Sequence, residues 1–250
     1  METLFTGQYH IKLSECDSVN TYAIEMLKSG NLPDGTLISA KNQTKGRGQT
    51  GNLWYSESGK NITCSLIYQT SFLSAENIFL LSMTISLAVH DLLTETLGSK
   101  HDIKIKWPND ILVDDKKICG ILIENLFRGG SITSVIGIGL NVNQTQFDFV
   151  DQRAVSIKNL KFIDLDVEFL TEKLCKKIEI WYLKLKGLKF NSIRHEYLNR
   201  LYLYKTRHRF SIVDGSLLEG EICDVGLDGQ ILIRAKNNSF RKFRFKELIF

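Results

Sequence analysis

A glycine-rich segment with one arginine, GRGQTG at positions 46–51, is the first part of the sequence that could do chemistry. Clustered glycines allow successive backbone N–H groups to point at a single anion, and Arg47 adds a planar set of donors. Trp54 follows, and an indole can stack on a nucleobase with a gain of roughly 1–3 kcal/mol. The pattern predicts an anion-binding loop; a flexible loop with a buried tryptophan is the alternative.

A second candidate site is KWPND at positions 106–110, at the end of an alternating segment. Proline prevents the strand ladder from continuing, so Asn109 and Asp110 are predicted to lie at a strand end and could face a cleft. An amide and a carboxylate in that position suit ribose, phosphate or metal-bound phosphate. A turn with local Asn and Asp hydrogen bonds is the alternative.

Lys117 is the first residue of the segment KICGIL, whose apolar residues are predicted to lie in the core. Surface lysines are usually solvated, which is the alternative to a functional role. Gly120 inside a predicted strand indicates close approach by a ligand or by another backbone segment. A further apolar segment, VIGIGLN at 135–141, contains two glycines. It lacks the third glycine and the following helix of a dinucleotide-binding fingerprint, so we reject that interpretation.

Taken together, the order and spacing of these segments resemble the biotin protein ligase family. The family's hallmarks are GRGxxGxxW and KWPND followed by KxxGIL, and all are present here. The resemblance runs from about Ser14 to Asn143 and continues more loosely through the C-terminal part of the chain.

The resemblance implies roles for individual residues. Lys117 and Arg47 are implied as catalytic cations, and Asp110 is our candidate for accepting or orienting the proton of an acceptor amine. Biotin is expected to contact Ser18, Val19, Asn20, Gln43, Arg47, Gly48, Gln49, Lys117, Gly120 and Gly137. The nucleotide is expected to contact Arg47, Gln49, Trp54, Asn109, Lys117 and Asn141.

Two departures from the family pattern stand out. Val19 replaces the usual threonine, so one hydroxyl contact to biotin is lost. Gln49, Thr50 and Asn52 occupy positions where arginines are common in the family, so fewer cations face the phosphate. We therefore expect the protein to retain the activated intermediate with a different affinity.

The implied reaction activates biotin with ATP, taken as its Mg²⁺ complex, and transfers the acyl group to a lysine of a biotin carboxyl carrier domain. Electrostatic preorganisation by cations and backbone N–H groups is the expected source of rate enhancement. We expect no covalent enzyme intermediate, since the sequence shows no nucleophile–base motif. A protein-built metal site is not expected.

The helices and strands that must position these residues are predicted from the hydrophobic periodicity and from the capping and turn residues. Leu170, Leu174, Ile178, Trp181 and Leu185 form one helical face. The sequence predicts helices at Ser18–Ser29, Ser74–Leu97 (with Ser74 as the N-cap), Val167–Lys186 and Ile193–Leu203. It predicts strands at Thr36–Ala40, Asn61–Gln69, Ile103–Trp107, Ile111–Val113, Ile118–Leu126 and Ile132–Val142, with a hairpin turn at 114–116. The last strand is largely apolar, so it is expected to be central in its sheet.

After residue 203 the pattern changes to short strands separated by Asp-Gly turns. We therefore predict an α/β (α+β) protein: a catalytic domain of the biotin/lipoate ligase type with a mixed β-sheet at residues 1–203, and a small SH3-like β-barrel at 204–250. So short a C-terminal unit must lean on its neighbour for stability.

The composition of the chain limits which other classes of protein it could belong to. The chain is 43% hydrophobic and 24% charged with a net charge of +4. These values are ordinary for a globular protein and far from those of a dedicated nucleic-acid binder. Five scattered cysteines lack disulfide or zinc spacing and favour a reducing cytosol. The sequence shows neither a signal peptide nor a membrane span, so a cytoplasmic protein is expected.

Three alternatives remain open. A lipoate or octanoate ligase or transferase of the same fold is the nearest, although such enzymes lack the paired hallmarks. A DNA-binding repressor is disfavoured, because the biotin-pocket segment begins at about Ser14, and we expect neither DNA nor a membrane as partner. A noncatalytic module that binds peptides through its C-terminal barrel is the third. The choice between a monomer and a homodimer stays open.

Overall fold

A computed structural model describes residues 2–147 and 153–250 of the chain, and its largest element is a seven-stranded mixed sheet. The strands are β1 (His10–Cys16), β2 (Thr36–Gln43), β3 (Ile62–Gln69), β4 (Ile103–Lys106), β5 (Asp110–Val113), β6 (Lys116–Arg128) and β7 (Ser131–Leu140). Their order is β1-β2-β3-β7-β6-β5-β4, with β1 and β2 parallel and the other pairs antiparallel. The apolar strand β7 is central, which confirms its prediction.

Helices cover both faces of this sheet. They are α1 (Val19–Ser29), α2 (Phe79–Leu97), α3 (Ile157–Lys161), α4 (Val167–Lys186) and α5 (Phe190–Asn199). Successive strand residues point to opposite faces. Leu37 accordingly belongs to the large hydrophobic core with α2 and α4, whereas Ile38 packs with Ala23 of α1 in a smaller core. The sheet therefore separates a thick helical layer from a thin one to which α1 belongs.

The start of α2 differs from its prediction. The helix begins at Phe79, and Ile78 rather than Ser74 is its N-cap residue. The Asn77 side chain accepts a hydrogen bond from the Ser74 N–H at 2.8 Å, which closes a turn before the helix. The Phe79 N–H donates to the Leu227 carbonyl of the C-terminal region, so a long-range contact fixes the first helical turn.

Helix α5 is also shifted, since it ends at Asn199 instead of continuing to Leu203. Leu203 has a φ of 59°. This value lies in the left-handed region that a continuing helix cannot use. The predicted hairpin turn is confirmed, because Asp114 and Asp115 have φ values of 50° and 63°. A two-residue turn with both central residues left-handed requires such values.

The C-terminal region forms a second, five-stranded antiparallel sheet. Its strands are β8 (Arg207–Ile212), β9 (Leu217–Val225), β10 (Ile231–Ala235), β11 (Phe240–Phe243) and β12 (Leu248–Ile249), in the order β11-β10-β9-β8-β12. The two sheets confirm the predicted α/β (α+β) class with a second, small β unit. Closure of that unit into a barrel and the domain boundary after residue 203 stay predictions. Within the described ranges, no helix has the length and apolar character needed to cross a membrane.

Candidate functional site

A cavity of about 400 Å³ opens on the α1 side of the seven-stranded sheet. The residues predicted from the sequence that line it are Ser18, Val19, Asn20, Gln43, Arg47, Gly48, Gln49, Trp54, Asn109, Asp110, Lys117, Gly120 and Gly137. They come from separate strands, from α1 and from the segment at residues 45–54, here called the glycine loop. The fold therefore gathers widely spaced motifs around one space.

Asn141 is the predicted site residue that does not line this cavity. It is buried, and its side-chain amide donates to the Val155 carbonyl at 3.1 Å. Its backbone carbonyl accepts from Ile157. These contacts tie the end of β7 to the segment before α3, and a contact with the nucleotide stays a prediction for Asn141.

The floor of the cavity is made by strand residues without side chains. Gly139 of β7 lies opposite Gly120 of β6, and Gly137 lies opposite Leu122 in the same register. A Cβ atom on Gly139 would come within 2.3 Å of the Trp54 indole, and one on Gly137 within 2.3 Å of Asn20 Oδ1. Glycine is therefore required at both positions because other site residues pack directly on the sheet.

The Trp54 ring packs against this floor, close to Gly120 and Gly139. Its indole Nε1 is buried and has no hydrogen-bond partner among the described residues, and neither has Gln49 Oε1. Unsatisfied buried polar atoms are costly and uncommon, so a pair of them at one cavity marks a place where a ligand can supply partners. An aromatic ring here is also suited to stacking with a base.

The glycine loop is a compact hairpin. The Trp54 N–H donates to the Gly46 carbonyl at 2.8 Å, and the Gly48 N–H donates to the Asn52 carbonyl at 2.7 Å. Arg47 and Leu53 form an isolated antiparallel bridge between these bonds. A Cβ on Gly46 would lie 2.2 Å from the Trp54 carbonyl oxygen, so the hairpin closes only with glycine at that position.

A β-bulge explains how Lys117 reaches the cavity from among core residues. Ile111 pairs with Cys119, but Leu112 pairs with Lys117, so β6 carries one additional residue at this point. Such an insertion re-aims the neighbouring side chains. Ile118 and Cys119 remain fully buried, while Lys117 Nζ lies 2.8 Å from Asp110 Oδ1.

Lys117 also contacts the aromatic wall of the cavity. Its Nζ lies 5.7 Å from the centre of the Trp54 ring. This distance is within the range of a cation–π interaction. The Lys117 backbone N–H donates to the Arg153 carbonyl, and its own carbonyl accepts from Val155. The lysine is thus held at both its main chain and its ammonium group, between an acidic and an aromatic neighbour.

Two side-chain amides are fixed at the α1 end of the cavity. Gln43 Oε1 accepts from the Val19 backbone N–H at 2.9 Å, which leaves Nε2 as the donor side of that amide. Asn20 Nδ2 donates to the Leu122 carbonyl at 3.2 Å and to Glu124 Oε2 at 3.0 Å. Asn20 Oδ1 accepts from Ser65 Oγ at 2.5 Å. Both amides therefore have a defined orientation towards a ligand.

Sequence reasoning missed several residues of the site. Glu124 was not predicted, although it follows Gly120 and Leu122 at a spacing of two. That spacing is the signal that places all three on one face of a strand. Gly139 was noticed only as part of a rejected motif. The C-terminal β unit was expected to help close the ATP site or dock the carrier, but its individual wall residues were not predicted: Phe245, Lys246, Leu248, Ile249 and Phe250.

The charges around the cavity favour an anionic ligand. The cations among its lining residues are Arg47, Lys106, Lys117, Arg153 and Lys246. Asp110 is the only carboxylate in the described part of the lining. Clefts with one dominant sign of charge concentrate oppositely charged ligands. In the described ranges, no three His, Cys, Asp or Glu side chains are grouped so that they could hold a metal ion.

The described lining of the cavity contains one thiol, and it is unreactive. Cys64 is buried, and this burial raises the pKa of its thiol well above the usual value. A protonated thiol is a poor nucleophile. Cys64 is therefore not a candidate nucleophile of the cavity.

The mixed sheet, the glycine floor and the cations of the lining describe an α/β protein with a cavity suited to an anionic ligand. A sequence pattern described as the Biotin/lipoate A/B protein ligase family matches residues 13–143. The chain belongs to this family.

Named relatives agree with this membership. The biotin–[acetyl-CoA-carboxylase] ligase of Paracoccus denitrificans is 30% identical over 195 residues, which is 75% of this chain and 79% of that protein. The bifunctional ligase/repressor BirA of Bacillus subtilis is 38% identical over 153 residues, 61% of this chain. The match spans about half of the BirA chain, 46% of its length.

Solved structures show the same fold. Biotin protein ligase from Aquifex aeolicus, in complex with biotin and ATP, superimposes with a TM-score of 0.79 at 25% identity and covers 96% of this chain and 97% of that one. The Helicobacter pylori biotin acetyl coenzyme A carboxylase synthetase, solved with bound biotinylated ATP, has a TM-score of 0.59 at 26% identity over 94% of this chain and 99% of that chain.

Proposed function

We propose that this protein is an ATP-dependent ligase that activates biotin as biotinyl-5′-adenylate and transfers it to a lysine of a biotin carboxyl carrier domain. The observation that carries the proposal is the cavity in which Arg47, Lys117 and Trp54 meet over a glycine floor. The Paracoccus relative is a biotin–[acetyl-CoA-carboxylase] ligase and the Aquifex structure contains biotin and ATP, which supports the same substrates. A cytoplasmic location is part of the proposal.

In the first step, a biotin carboxylate oxygen attacks the α-phosphorus of ATP and pyrophosphate leaves. Two anions must approach, so positive charge must be in place beforehand. Lys117 and Arg47 line the cavity and provide it, together with the N–H groups of the glycine loop. Mg²⁺ enters as part of the nucleotide substrate, and Asp110 is the carboxylate in the described lining that could contact it.

The ligand's two ends are assigned to the two ends of the cavity. Asn20, Gln43 and the neighbouring Ser18 and Val19 surround the fused ring of biotin, because their amides are already oriented. Trp54 faces the adenine. Asn109 Nδ2 donates to the Ile121 carbonyl at 2.6 Å, which fixes the turn beside the nucleotide phosphates.

In the second step, the acceptor amine attacks the acyl carbonyl and AMP leaves. The attacking amine must lose a proton, and Asp110 is the group proposed to accept or orient it. Because Asp110 Oδ1 is bonded to Lys117 Nζ at 2.8 Å, the two groups are coupled. Movement of Lys117 towards the developing phosphate charge would release Asp110 for this role.

The proposal is tested by incubating the protein with ATP, Mg²⁺, a purified carrier domain and either biotin or lipoate. Biotin should add one biotinyl mass to a single carrier lysine and release pyrophosphate, whereas lipoate should not. Carrier variants with that lysine replaced by arginine provide the control. Pyrophosphate release with lipoate but not with biotin would reject biotin as the substrate and favour a lipoate ligase.

A further inference from the structure

Glu124 joins two separate elements of the cavity. It lies on β6, opposite Val135, on the same face as Gly120 and Leu122. Its Oε2 accepts from Asn20 of α1 at 3.0 Å, and its Oε1 accepts from Arg47 of the glycine loop at 2.8 Å. Both carboxylate oxygens are therefore occupied by residues that themselves line the cavity, although Glu124 is not part of its lining.

The contact between Arg47 and Glu124 is stronger in kind than an ordinary surface ion pair. The Arg47 side chain is 44% exposed and that of Glu124 is 24% exposed. Arg47 Nη1 donates a second hydrogen bond to Glu124 Oε2 at 3.3 Å and a third to Thr21 Oγ1 at 3.2 Å. Bidentate guanidinium–carboxylate pairs hold their geometry, whereas single exposed pairs contribute little.

Holding the Arg47 side chain also holds the glycine loop. Arg47 pairs with Leu53 across the loop hairpin, and the bond from Trp54 to Gly46 closes the next position. A displacement of Arg47 therefore displaces the loop that carries Trp54. Since Trp54 lies on the glycine floor, the position of the aromatic wall depends on the same carboxylate.

Glu124 further defines what Asn20 can offer a ligand. A side-chain amide has two N–H donors and two acceptor lone pairs. The Asn20 donors are used by the Leu122 carbonyl and by Glu124, and one lone pair is used by Ser65. Asn20 therefore presents only an acceptor towards the cavity, as long as Glu124 keeps the amide from rotating.

We infer that Glu124 is a positioning residue that fixes Arg47 and Asn20 and thereby sets the affinity of the cavity for its carboxylic acid substrate. The inference rests on the proposed function. Glu124 is an anion outside the cavity lining, so it cannot neutralise charge that develops on phosphate. Its removal leaves the positive charge of Arg47 at the cavity but no longer fixes its position, so binding of the acid should weaken by more than the chemical step slows.

The substitution Glu124→Gln tests this, because glutamine keeps the shape and an acceptor for Asn20 but removes the charge that holds Arg47. Loss of a charge-assisted hydrogen bond predicts a KM for biotin about tenfold higher, with kcat for pyrophosphate release within about threefold of wild type. Chymotrypsin gives a second readout, since Leu53 and Tyr55 in and beside the glycine loop are each 54% exposed. Without ligands, it should cleave the variant there about tenfold faster than wild type.

Glu221→Gln is the matched control. Glu221 is 18% exposed and pairs with Arg234, which is 45% exposed, in the C-terminal sheet. This pair resembles the Arg47–Glu124 pair in exposure but lies outside the cavity lining. Its loss should leave both the KM for biotin and the rate of loop cleavage at wild-type values.

A double-mutant cycle with Arg47→Ala identifies the route of the effect. If Glu124 acts through Arg47, adding Glu124→Gln to Arg47→Ala should change the KM by less than about twofold, because the shared interaction is already lost. An independent tenfold effect in that background would overturn the inference. Unchanged KM and unchanged loop cleavage in the single variant would do so as well.

The two readouts separate this inference from the proposed function. A wild-type protein that releases no pyrophosphate with biotin refutes the ligase proposal, while loop cleavage still tests Glu124. A fully active wild-type protein whose Glu124→Gln variant behaves identically refutes only the positioning role.

Discussion

Lys117 shows how a residue of unusual sequence context acquires its position. A lysine that begins an apolar segment would point into the core if β6 were regular. The bulge between the pairs Ile111–Cys119 and Leu112–Lys117 changes its direction and brings Nζ to Asp110 and Trp54. The position of the Lys117 ammonium group is what distinguishes it, because an exposed charge without fixed partners contributes little interaction energy.

The variant Lys117→Ala should retain the fold and lose adenylate formation. Removal of one preorganised charge from a site that stabilises a phosphate transition state costs about 10²–10³ in rate. The measurement is biotin-dependent release of pyrophosphate, with circular dichroism to confirm folding. Lys116→Ala is the control, because the Lys116 side chain is exposed at the start of β6 and its loss should leave the rate unchanged. Wild-type release from the Lys117 variant would remove this residue from the mechanism.

Sequence motifs and the family resemblance they carry predicted just under half of the cavity lining, since Arg47, Trp54, Lys117 and two of the glycines lie in motifs that demand a close backbone or a fixed charge. Glu124 escaped prediction because its importance arises from partners 77 and 104 positions away in the chain. A single glutamate in a strand has many alternative roles, and only the register of β6 with β7 shows which face it occupies.

At the scale of elements, β7 combines a hydrophobic face with a face of glycines. Ile136 and Ile138 enter the large core, while Gly137 and Gly139 receive Asn20 and Trp54 on the opposite side. This alternation follows from the period of two in a strand. The strand was predicted as apolar and central. Which of its faces packs in the core and which faces the cavity could not be predicted, because this depends on the neighbouring elements.

Alanine at either glycine of β7 should impair one substrate more than the other. A Cβ at position 139 would displace the Trp54 indole, and one at position 137 would displace Asn20, since each approach is 2.3 Å. Overpacking of this kind costs about 1–3 kcal/mol. Gly139→Ala should therefore raise the KM for ATP by about tenfold or more, and Gly137→Ala that for biotin.

Steady-state measurements of both KM values in both variants check this split. Gly30→Ala is a suitable control, because its backbone is extended with a φ of −179° and no described atom lies within 4 Å of an added Cβ. Equal effects of the two β7 substitutions on both substrates would contradict the assignment of adenine to Trp54 and of biotin to Asn20.

Helix α4 was predicted with correct ends from its apolar stripe, which is a local signal. In the structure its N-cap is Asp166, whose side chain accepts from the Glu168 and Phe169 N–H groups, so the helix start is also fixed locally. The start of α2 was wrong, because the turn at Asn77 and the bond from Phe79 to Leu227 override the preference of Ser74 for an N-cap. Local signals thus predicted the ends of helices whose ends are fixed by adjacent residues. They failed where a distant strand or turn provides the partner.

Helix α4 also anchors the N-terminal segment through Glu179. The carboxylate accepts from the backbone N–H groups of Leu4, Phe5 and Thr6 at 2.7, 2.9 and 2.9 Å. Burial by itself raises the pKa of Glu179, but these hydrogen bonds outweigh it, so the pKa lies below its usual value of 4.5. The ionised form is therefore favoured by folding, and its contribution to stability is present above that usual value and is lost as the pH falls through the lowered pKa.

Glu179→Gln should lower the free energy of unfolding at pH 7 by about 1.5–3 kcal/mol, the range for hydrogen bonds to charged groups. The melting temperature should fall by about 2–4 °C for each kcal/mol. The difference from wild type should shrink as the pH falls below 4.5 and through the lowered pKa of Glu179, because both proteins then carry a neutral side chain at this position. Thermal unfolding across that pH range measures it, with the exposed Glu76→Gln as control. A difference that does not depend on pH would contradict the ionised contact.

At the scale of the whole molecule, the C-terminal sheet is part of the cavity as well as of the core. Phe210, Ile222 and Ile231 belong to the same hydrophobic cluster as α2 and α4. The Trp107 indole, which is buried, donates to the Gly229 carbonyl of the C-terminal region at 2.9 Å. A prediction from local sequence identified a dependent β unit but could not show that its tail forms one wall of the site.

The variant Trp107→Phe tests whether the two sheets behave as one cooperative unit. It removes the donor to Gly229 and leaves that carbonyl unpaired, so it should lower the free energy of unfolding by about 1–3 kcal/mol. Because the hydrophobic cluster is continuous across both sheets, unfolding should remain a single transition that coincides by far-ultraviolet circular dichroism and by tryptophan fluorescence. Tyr9→Phe, at a half-exposed position on the opposite edge of the large sheet, should leave the midpoint unchanged. Two separated transitions in either protein would show instead that the C-terminal sheet unfolds on its own. The sheet would then be a separately stable unit that contributes to the cavity only by packing against the rest of the protein.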